Sequence, residues 1–190
     1  MYKHCTTEES AQRQRQLEQC LLELMADIPY AGITISQICQ KIGVSRKSFY
    51  RYFDSKEGCL LALLDHIIMD GSSYYMSESS TNHADLMLCT RFFEYWKQQT
   101  PLLDALHNNN LSLLLPQRMI RYLLEEEPEY ARYMGISPSD VMEHVVYTVS
   151  GTMGMVLTWH HEHYPKTATQ MGSILFQLMQ RQASKGGDFI

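Results

Sequence analysis

The apolar positions of this chain recur with the period of an α-helix almost throughout, and no segment alternates convincingly between apolar and polar residues as a strand would. The first predicted helix covers residues 7–28, where apolar side chains from Leu17 to Ile28 recur at i, i+3, i+4, i+7, i+8 and i+11. Thr6 and Glu9 have the spacing of a capping box at its start. The pattern predicts an all-α fold.

Three helices are predicted to follow in close order. Thr34 and Gln37 have capping-box spacing, and the short helix that they open is expected to stop at Gly43. Ser45 can cap a second short helix. A longer helix, over residues 55–76, comes next.

Beyond the polar residues 77–81, capping residues and prolines mark five more helices. Thr100 and Ser137 each stand directly before a proline, which is tolerated at the first helical position. The predicted helices cover residues 84–99, 102–108, 117–133, 139–163 and 168–183.

Residues 34–56 have the spacing of a helix-turn-helix, in which the second helix can enter the major groove of DNA. The formal net charge of the whole chain is −5, which argues against binding nucleic acid or anionic membrane over its entire surface. The charge is unevenly distributed. Residues 41–56 hold five basic side chains and one acidic one, a net charge of +4, against −2 for residues 1–40 and −7 for residues 57–190.

The second short helix divides its side chains by role. Phe49 and Phe53, four residues apart, are expected to pack in the core, while Arg51 projects outward. Arg46 and Lys47 lie near the helix N-terminus, where recognition helices contact base edges, and arginine can bond bidentately to guanine. The remaining candidates suit phosphate contacts: Thr34, Tyr50, Tyr52 and Lys56. The alternative is a solvated basic helix with its aromatic side chains packed beneath it.

Residues 8–70 resemble the DNA-binding domain of the TetR/AcrR family of transcriptional repressors. The resemblance rests on the Thr34-capped helix, the Gly-Val-Ser turn at 43–45, the run Phe-Tyr-Arg-Tyr-Phe at 49–53, and Lys56. It implies that these residues contact DNA: Thr34, Ser45, Arg46, Lys47, Ser48, Tyr50, Arg51, Tyr52 and Lys56.

Three positions depart from the family pattern. Cys39 and Ile42 stand where the family usually has alanine, which suggests altered helix packing. Lys47 replaces a small residue or proline and would add a contact to phosphate or base, so no operator sequence is inherited from the resemblance.

The resemblance implies two domains, a helix-turn-helix domain over residues 1–56, continued by the linking helix 55–76, and a ligand-binding and dimerisation domain over residues 77–190. Residues 145–159 are apolar nearly all round, and Gly151 and Gly154 allow another helix to approach closely. A four-helix interface between two copies would cover this helix, and the alternative is an ordinary core helix of a monomer. The predicted interface residues are Met155, Trp159, Ile174 and Leu178.

Methionines and aromatic residues are frequent in the C-terminal part, as suits a pocket for a hydrophobic or aromatic effector. Helical spacing also explains most of them as core. The candidate effector contacts are Tyr95, Trp96, His107 and Tyr122.

One cluster of side chains suggests a metal-binding or enzymatic interpretation. His160, His161 and His163 with Glu162 offer metal-ligating atoms, but their spacing does not place them on one helix face. No Gly-rich phosphate loop or nucleophile arrangement is evident. We therefore predict no cofactor, no metal and no catalytic residues.

The cysteines and the apolar segments bear on the compartment. Five cysteines lie far apart with no C-x-x-C pair, which favours reduced, mostly buried thiols. The longest uncharged stretch, 145–159, is too short to span a membrane, and the N-terminus has no signal-peptide pattern. A cytoplasmic protein without a membrane partner is expected.

Together these features predict a homodimeric regulator, a repressor that leaves a palindromic operator when a small-molecule effector binds. Two alternatives remain at this point: an all-α protein of the same fold that acts through protein partners, and a metal-dependent helical enzyme.

Overall fold

The computed structural model describes residues 2, 7–76, 86–125 and 127–185. Within them lie ten α-helices and two short 3₁₀ turns, and the described residues form no strand, only an isolated β-bridge between Tyr2 and Phe53. The all-α prediction is confirmed. The helices are α1 Glu8–Asp27, α2 Ile35–Lys41, α3 Arg46–Tyr52, α4 Lys56–Met76, α5 Leu86–Gln98, α6 Thr100–Asn108, α7 Leu114–Glu125, α8 Glu127–Met134, α9 Val141–His161 and α10 Ala168–Lys185.

The chain divides into two compact units, each built from two separate stretches. The first unit comprises Met1–Ile67 and Pro101–Arg118, and the second comprises Ile68–Thr100 and Met119–Ile190. Helices α4, α6 and α7 therefore contribute residues to both units.

The core of the first unit lies where α1, α2 and α3 meet the start of α4. Leu17 and Leu21 of α1, Ile38 of α2 and Phe49 of α3 have no exposed surface. Because α2 and α3 have only seven residues each, their burial against their neighbours stabilises them more than intrinsic helix propensity does.

The second unit depends on one very close helix crossing. A Cβ atom at Gly172 of α10 would lie 2.6 Å from Thr90 Oγ1 and 2.7 Å from the Thr90 backbone nitrogen on α5. Only glycine permits this approach. Beside it, the rings of Phe93 and Trp159 meet edge to face with their centroids 5.5 Å apart.

The first helix begins one residue later than its predicted capping box. Thr7 rather than Thr6 is the N-cap, since the Thr7 side chain accepts from the Ser10 backbone N–H at 3.3 Å. The Ser10 hydroxyl bonds back to Thr7, so it performs the role predicted for Glu9.

The helix predicted over residues 117–133 is in fact two helices, α7 and α8. Pro128 is the second residue of α8, and a proline inside a continuous helix would lack the backbone N–H that bonds to the carbonyl four residues earlier. The predicted 139–163 helix is α9, and a 3₁₀ turn over Pro138–Asp140, capped by Ser137, precedes it.

Two further sequence predictions concern burial and hydropathy. Four cysteines are buried and form no disulfide, namely Cys20, Cys39, Cys59 and Cys89, while Cys5 lies outside the described residues. In the part of the chain that the structure describes, no helix combines the length and the apolar character that crossing a bilayer requires.

Candidate nucleic-acid interface and effector cavity

The turn between α2 and α3 is closed by backbone hydrogen bonds that need glycine. Gly43 has φ +70°, the left-handed region that disfavours other residues. The Val44 N–H donates to the Cys39 carbonyl at 2.9 Å and the Gly43 N–H donates to the Gln40 carbonyl at 3.3 Å. This double closure is a Schellman motif, which ends α2 sharply and sets the direction of the chain into α3.

Both short helices carry the caps that their sequences predict. Thr34 Oγ1 accepts from the Gln37 backbone N–H at 3.3 Å, and Gln37 Oε1 accepts from the Thr34 N–H at 2.8 Å. Ser45 Oγ accepts from the Ser48 N–H at 3.1 Å. Each cap satisfies backbone donors that the first turn of a helix would otherwise leave unpaired.

Helix α3 is anchored through its aromatic residues. Phe49 and Phe53 are fully buried with ring centroids 5.2 Å apart. Tyr52 is only 4% exposed, and its hydroxyl accepts from Arg51 Nη2 at 3.1 Å. Because these rings are buried, the opposite side of α3 faces outward.

The outward side of α3 is basic. Arg46 and Lys47 in the first turn are exposed, as is Arg51 in the last. Arg46 Nη2 lies 3.4 Å from the hydroxyl of Tyr50, which is 42% exposed. Lys47 makes no hydrogen bond or ion pair with the described residues, so its ammonium group is free to meet an anion.

The side chain of Lys56, at the start of α4, is fixed by two backbone carbonyls and an aromatic ring. Its Nζ donates to the backbone carbonyls of Tyr30 at 2.5 Å and Ile33 at 2.7 Å, and lies 4.3 Å from the Tyr30 ring centroid. Burial lowers the pKa of this ammonium group. One of its three N–H bonds is left for an outside acceptor. By contrast, Lys41 on α2 is paired with Glu23 at 3.0 Å.

The structure thus brings the nine predicted DNA-contacting residues together around α3. Thr34 and Ser45 are exposed at the two helix N-termini, whereas Ser48 and Lys56 are half-buried. Their contacts with DNA stay a prediction.

Residues 21–63, which contain this arrangement, match the family model described as bacterial regulatory proteins, tetR family. These residues are a tetR-family domain. Over 45 residues the chain is 44% identical to the HTH-type transcriptional regulator EthR of Mycobacterium tuberculosis, a match that covers 24% of this chain and 21% of EthR.

Solved structures extend the likeness in fold beyond the tetR-family domain. A tetR-family transcriptional regulator from Streptomyces coelicolor has a TM-score of 0.60 at 18% identity, covering 94% of this chain and 85% of its own. The dihydroxyacetone kinase operon activator DhaS has a TM-score of 0.59 at 14% identity, covering 89% and 94%. The TetR family repressor AlkX from a Dietzia strain has a TM-score of 0.58 at 14% identity, covering 90% and 96%.

A cavity of about 170 Å³ lies in the second unit, outside the tetR-family domain. None of the described residues in its lining carries a charged side chain. Four residues bring hydroxyl groups, namely Ser72, Tyr130, Thr148 and Thr152, and the rest are apolar residues that include Cys89, Phe92, Met119, Met134 and Met179.

None of the four residues predicted to contact an effector lines this cavity. Tyr95 and Trp96 are buried in the core of the second unit, with 6% and 0% of their surface exposed. His107 is exposed and belongs to the first unit, and Tyr122 is half-buried on α7. The sequence signal for the cavity is the pair Thr148 and Thr152, two hydroxyl residues four apart and therefore on one face of α9.

Helix α9 has a buried apolar side, and it also carries exposed apolar side chains. Val145 and Val149 are buried, whereas Met142 is 60% and Tyr147 is 62% exposed. On the exposed side, a Cβ atom built at Gly151 or Gly154 would meet nothing within 4 Å.

The predicted interface residues lie at different depths. Leu178 is 45% exposed, and Met155 and Ile174 are half-buried. Trp159 is only 2% exposed because its ring packs on Phe93 and Tyr164 and its Nε1 donates to the Lys166 carbonyl. Trp159 therefore has little surface left for a partner.

Among the described residues, no group of three or more histidine, cysteine or acidic side chains is placed to hold a metal ion. The histidines at 160, 161 and 163 are included in that finding. His160 is itself buried, with 7% of its surface exposed, and its ring lies against Tyr164.

Proposed function

We propose that this protein is a transcriptional regulator that reads an operator with α3. The observation that supports this most directly is the exposed basic face of α3, carried on a capped turn inside a tetR-family domain. Arg46, Lys47 and Ser48 lie in the first turn of α3, which in a recognition helix approaches base edges. They are our candidates for sequence reading.

The remaining candidate residues lie on α3 or at the ends of the three helices α2, α3 and α4, and would hold the DNA backbone: Thr34, Ser45, Tyr50, Arg51, Tyr52 and Lys56. Tyr52 would contribute only its hydroxyl, since its ring is buried. Lys56 would contribute the N–H that its two carbonyl partners leave over. Such contacts set orientation and affinity without reading sequence.

The protein is proposed to act as a homodimer through the exposed face of α9 and the neighbouring part of α10. An isolated chain would leave the side chains of Met142, Tyr147 and Leu178 in water, and Gly151 and Gly154 would let a second α9 approach closely. We leave Trp159 out of this interface. A two-fold dimer implies a palindromic operator whose half-sites are about 34 Å apart or a multiple of that distance.

Effector control is proposed to act through the cavity of the second unit rather than through Tyr95, Trp96, His107 and Tyr122. A ligand that binds one conformation better shifts the operator affinity by its differential affinity. The names of the structural neighbours include an operon activator and a repressor. We propose repression, with the effector lowering operator affinity.

A selection from randomised double-stranded DNA at moderate salt tests the operator. We expect a palindrome to be enriched. Arg46→Ala should relax the preference at one position of each half-site and cost about 1–3 kcal/mol for the preferred base. Tyr50→Ala should weaken binding to all sequences alike.

Arg121→Ala is the matched control, because Arg121 is an exposed arginine on α7 paired with Glu125. It should leave the selected sequence and the affinity unchanged. If no palindrome is enriched, or if binding is insensitive to salt and sequence, the operator proposal fails and a protein that acts through protein partners is favoured.

A further inference from the structure

We propose that the cavity of the second unit binds a small uncharged molecule, about the size of benzene with one hydroxyl-bearing substituent, and anchors that hydroxyl on α9. This proposal deepens the proposed function, since it names the effector class of the same cavity. The binding step, however, can be measured without DNA.

The volume sets the size of the ligand. A cavity of about 150 Å³ lined by apolar side chains is known to hold benzene. At about 170 Å³, this cavity has room for one aromatic ring and a substituent of one or two heavy atoms. Met119, Met134 and Met179 in the lining can adjust to the shape of the ring, because methionine side chains are unbranched and polarisable.

The lining sets the charge of the ligand. Among the residues that the structure describes, no acidic or basic side chain lines the cavity, so a carboxylate, phosphate or ammonium group would be buried there without a counter-charge. The ring of His144 lies against Tyr130 with its centroid 6.0 Å away, and its Nε2 is buried without a hydrogen-bond partner. Burial lowers the pKa of His144, so this imidazole stays neutral and supplies no positive charge.

The hydroxyl groups of the cavity determine which polar group its ligand should carry. Thr152 Oγ1 donates its proton to the Thr148 carbonyl oxygen at 2.8 Å, which leaves its lone pairs to accept from a ligand. Tyr130 hydrogen-bonds with the Thr148 side chain. Burial raises the pKa of Tyr130, so this phenol keeps its proton and can donate. A ligand hydroxyl, which donates and accepts, can bond to both groups, whereas a hydrocarbon of the same shape offers the Thr152 lone pairs and the Tyr130 proton nothing further.

Four probes of nearly equal size separate these requirements: benzyl alcohol, toluene, benzoate and benzylamine. Each is titrated calorimetrically into the full chain near pH 7.5, without DNA, and thermal shift serves as a second readout. We expect benzyl alcohol to bind best and toluene to follow. Benzoate and benzylamine should each bind at least about tenfold more weakly than benzyl alcohol, because the cavity offers their charge no partner.

Two variants test the anchor while keeping its shape. Tyr130→Phe and Thr152→Val should each reduce the preference for benzyl alcohol over toluene and leave toluene binding nearly unchanged. Tyr122→Phe removes the hydroxyl of a half-buried tyrosine that does not line the cavity, and it should change neither affinity. Circular dichroism establishes that each variant is folded.

Equal or tighter binding of benzoate or benzylamine would overturn the proposal, as would the absence of binding by both neutral probes. If benzyl alcohol binds as expected but operator affinity does not change, effector control through the cavity fails while the ligand class stands. If the chain selects no operator yet binds benzyl alcohol, the regulatory proposal fails and the ligand class again stands.

Discussion

The two compact units bury polar groups in different ways. Both buried carboxylates among the described residues, Glu18 at 1% and Asp65 at 8% exposure, belong to the first unit. The described lining of the second unit's cavity offers hydroxyl groups, a thiol and apolar surface. Charge is thus built into the interior of the unit that contains the tetR-family domain and is absent from the cavity proposed to hold an effector.

The buried carboxylates connect separate parts of the first unit. Asp65 on α4 accepts from Tyr2 Oη at 2.7 Å and from Arg118 Nε at 2.7 Å, and also bonds with Arg118 Nη2. Glu18 on α1 pairs with His66 Nδ1 on α4 at 2.8 Å. Directional ionic bonds of this kind tolerate little movement. The comparison therefore suggests a rigid support for α3 in one unit and an adaptable pocket in the other.

Among the variants discussed below, the removal of Arg118 should lower the free energy of unfolding the most. Arg118→Ala leaves the Asp65 carboxylate buried with Tyr2 as its remaining partner and should lower the free energy of unfolding by about 3–5 kcal/mol. Arg121→Ala on the same helix breaks an exposed ion pair and should cost about 0–1 kcal/mol. Urea denaturation of both variants measures the difference. Equal losses would contradict the assigned role of burial.

The close crossing in the second unit should show the next largest effect. Gly172→Ala places a methyl group 2.7 Å from backbone atoms of Thr90, which cannot rotate away, so α5 and α10 must separate. We expect a loss of about 1–3 kcal/mol in the free energy of unfolding. Benzyl alcohol binding should weaken as well, since Leu88 and Leu175 of the same two helices line the cavity. An unchanged midpoint of urea unfolding would show that the crossing is looser than described.

Short-range signals made the scaffold of α3 predictable from the sequence. The caps at Thr34 and Ser45 and the end of α2 at Gly43 depend on residues three to five positions away, and the structure forms all three. The first capping box was misplaced by one residue, because the hydroxyl of Ser10 can serve as well as the carboxylate of Glu9.

Long-range packing was not predictable in the same way. Asp65 and Arg118 are 53 residues apart in the sequence, and no local pattern predicts that they pair. Tyr95 and Trp96 were chosen as effector contacts because large aromatic residues suit pockets, but in the structure these rings fill the core. What distinguishes a lining residue from a core residue is the arrangement of several helices around an empty volume, which one helix period cannot encode.

The pH dependence of stability provides a finer probe of the first unit. Burial raises the pKa of Glu18 above its ordinary value of 4.5, although pairing with His66 and the charge of Arg15 oppose this effect. The folded state then holds the Glu18 proton more tightly than the unfolded state does. This contribution to stability is complete below pH 4.5 and is lost as pH rises through the folded-state pKa.

Glu18→Gln removes that contribution. The stability of the variant relative to the original protein should therefore increase as pH rises from about 4.5 toward neutrality, measured by urea denaturation at a series of pH values. Glu9→Gln, an exposed change on the same helix, is the control and should give a curve parallel to that of the original protein. A Glu18→Gln curve that is also parallel would contradict this assignment.

The smallest expected effect distinguishes a free surface from an interface on α9. Gly151→Ala meets no atom within 4 Å in a single chain, and alanine in a helix interior is favoured over glycine by about 0.5–1 kcal/mol. The chain should therefore unfold at higher urea concentration when it is dilute enough to be monomeric. In the proposed dimer the added methyl group would separate the two α9 helices, so sedimentation equilibrium should show weaker association. Gain of stability with unchanged self-association would place Gly151 outside the interface, because a methyl group between closely packed helices cannot be accommodated without moving them.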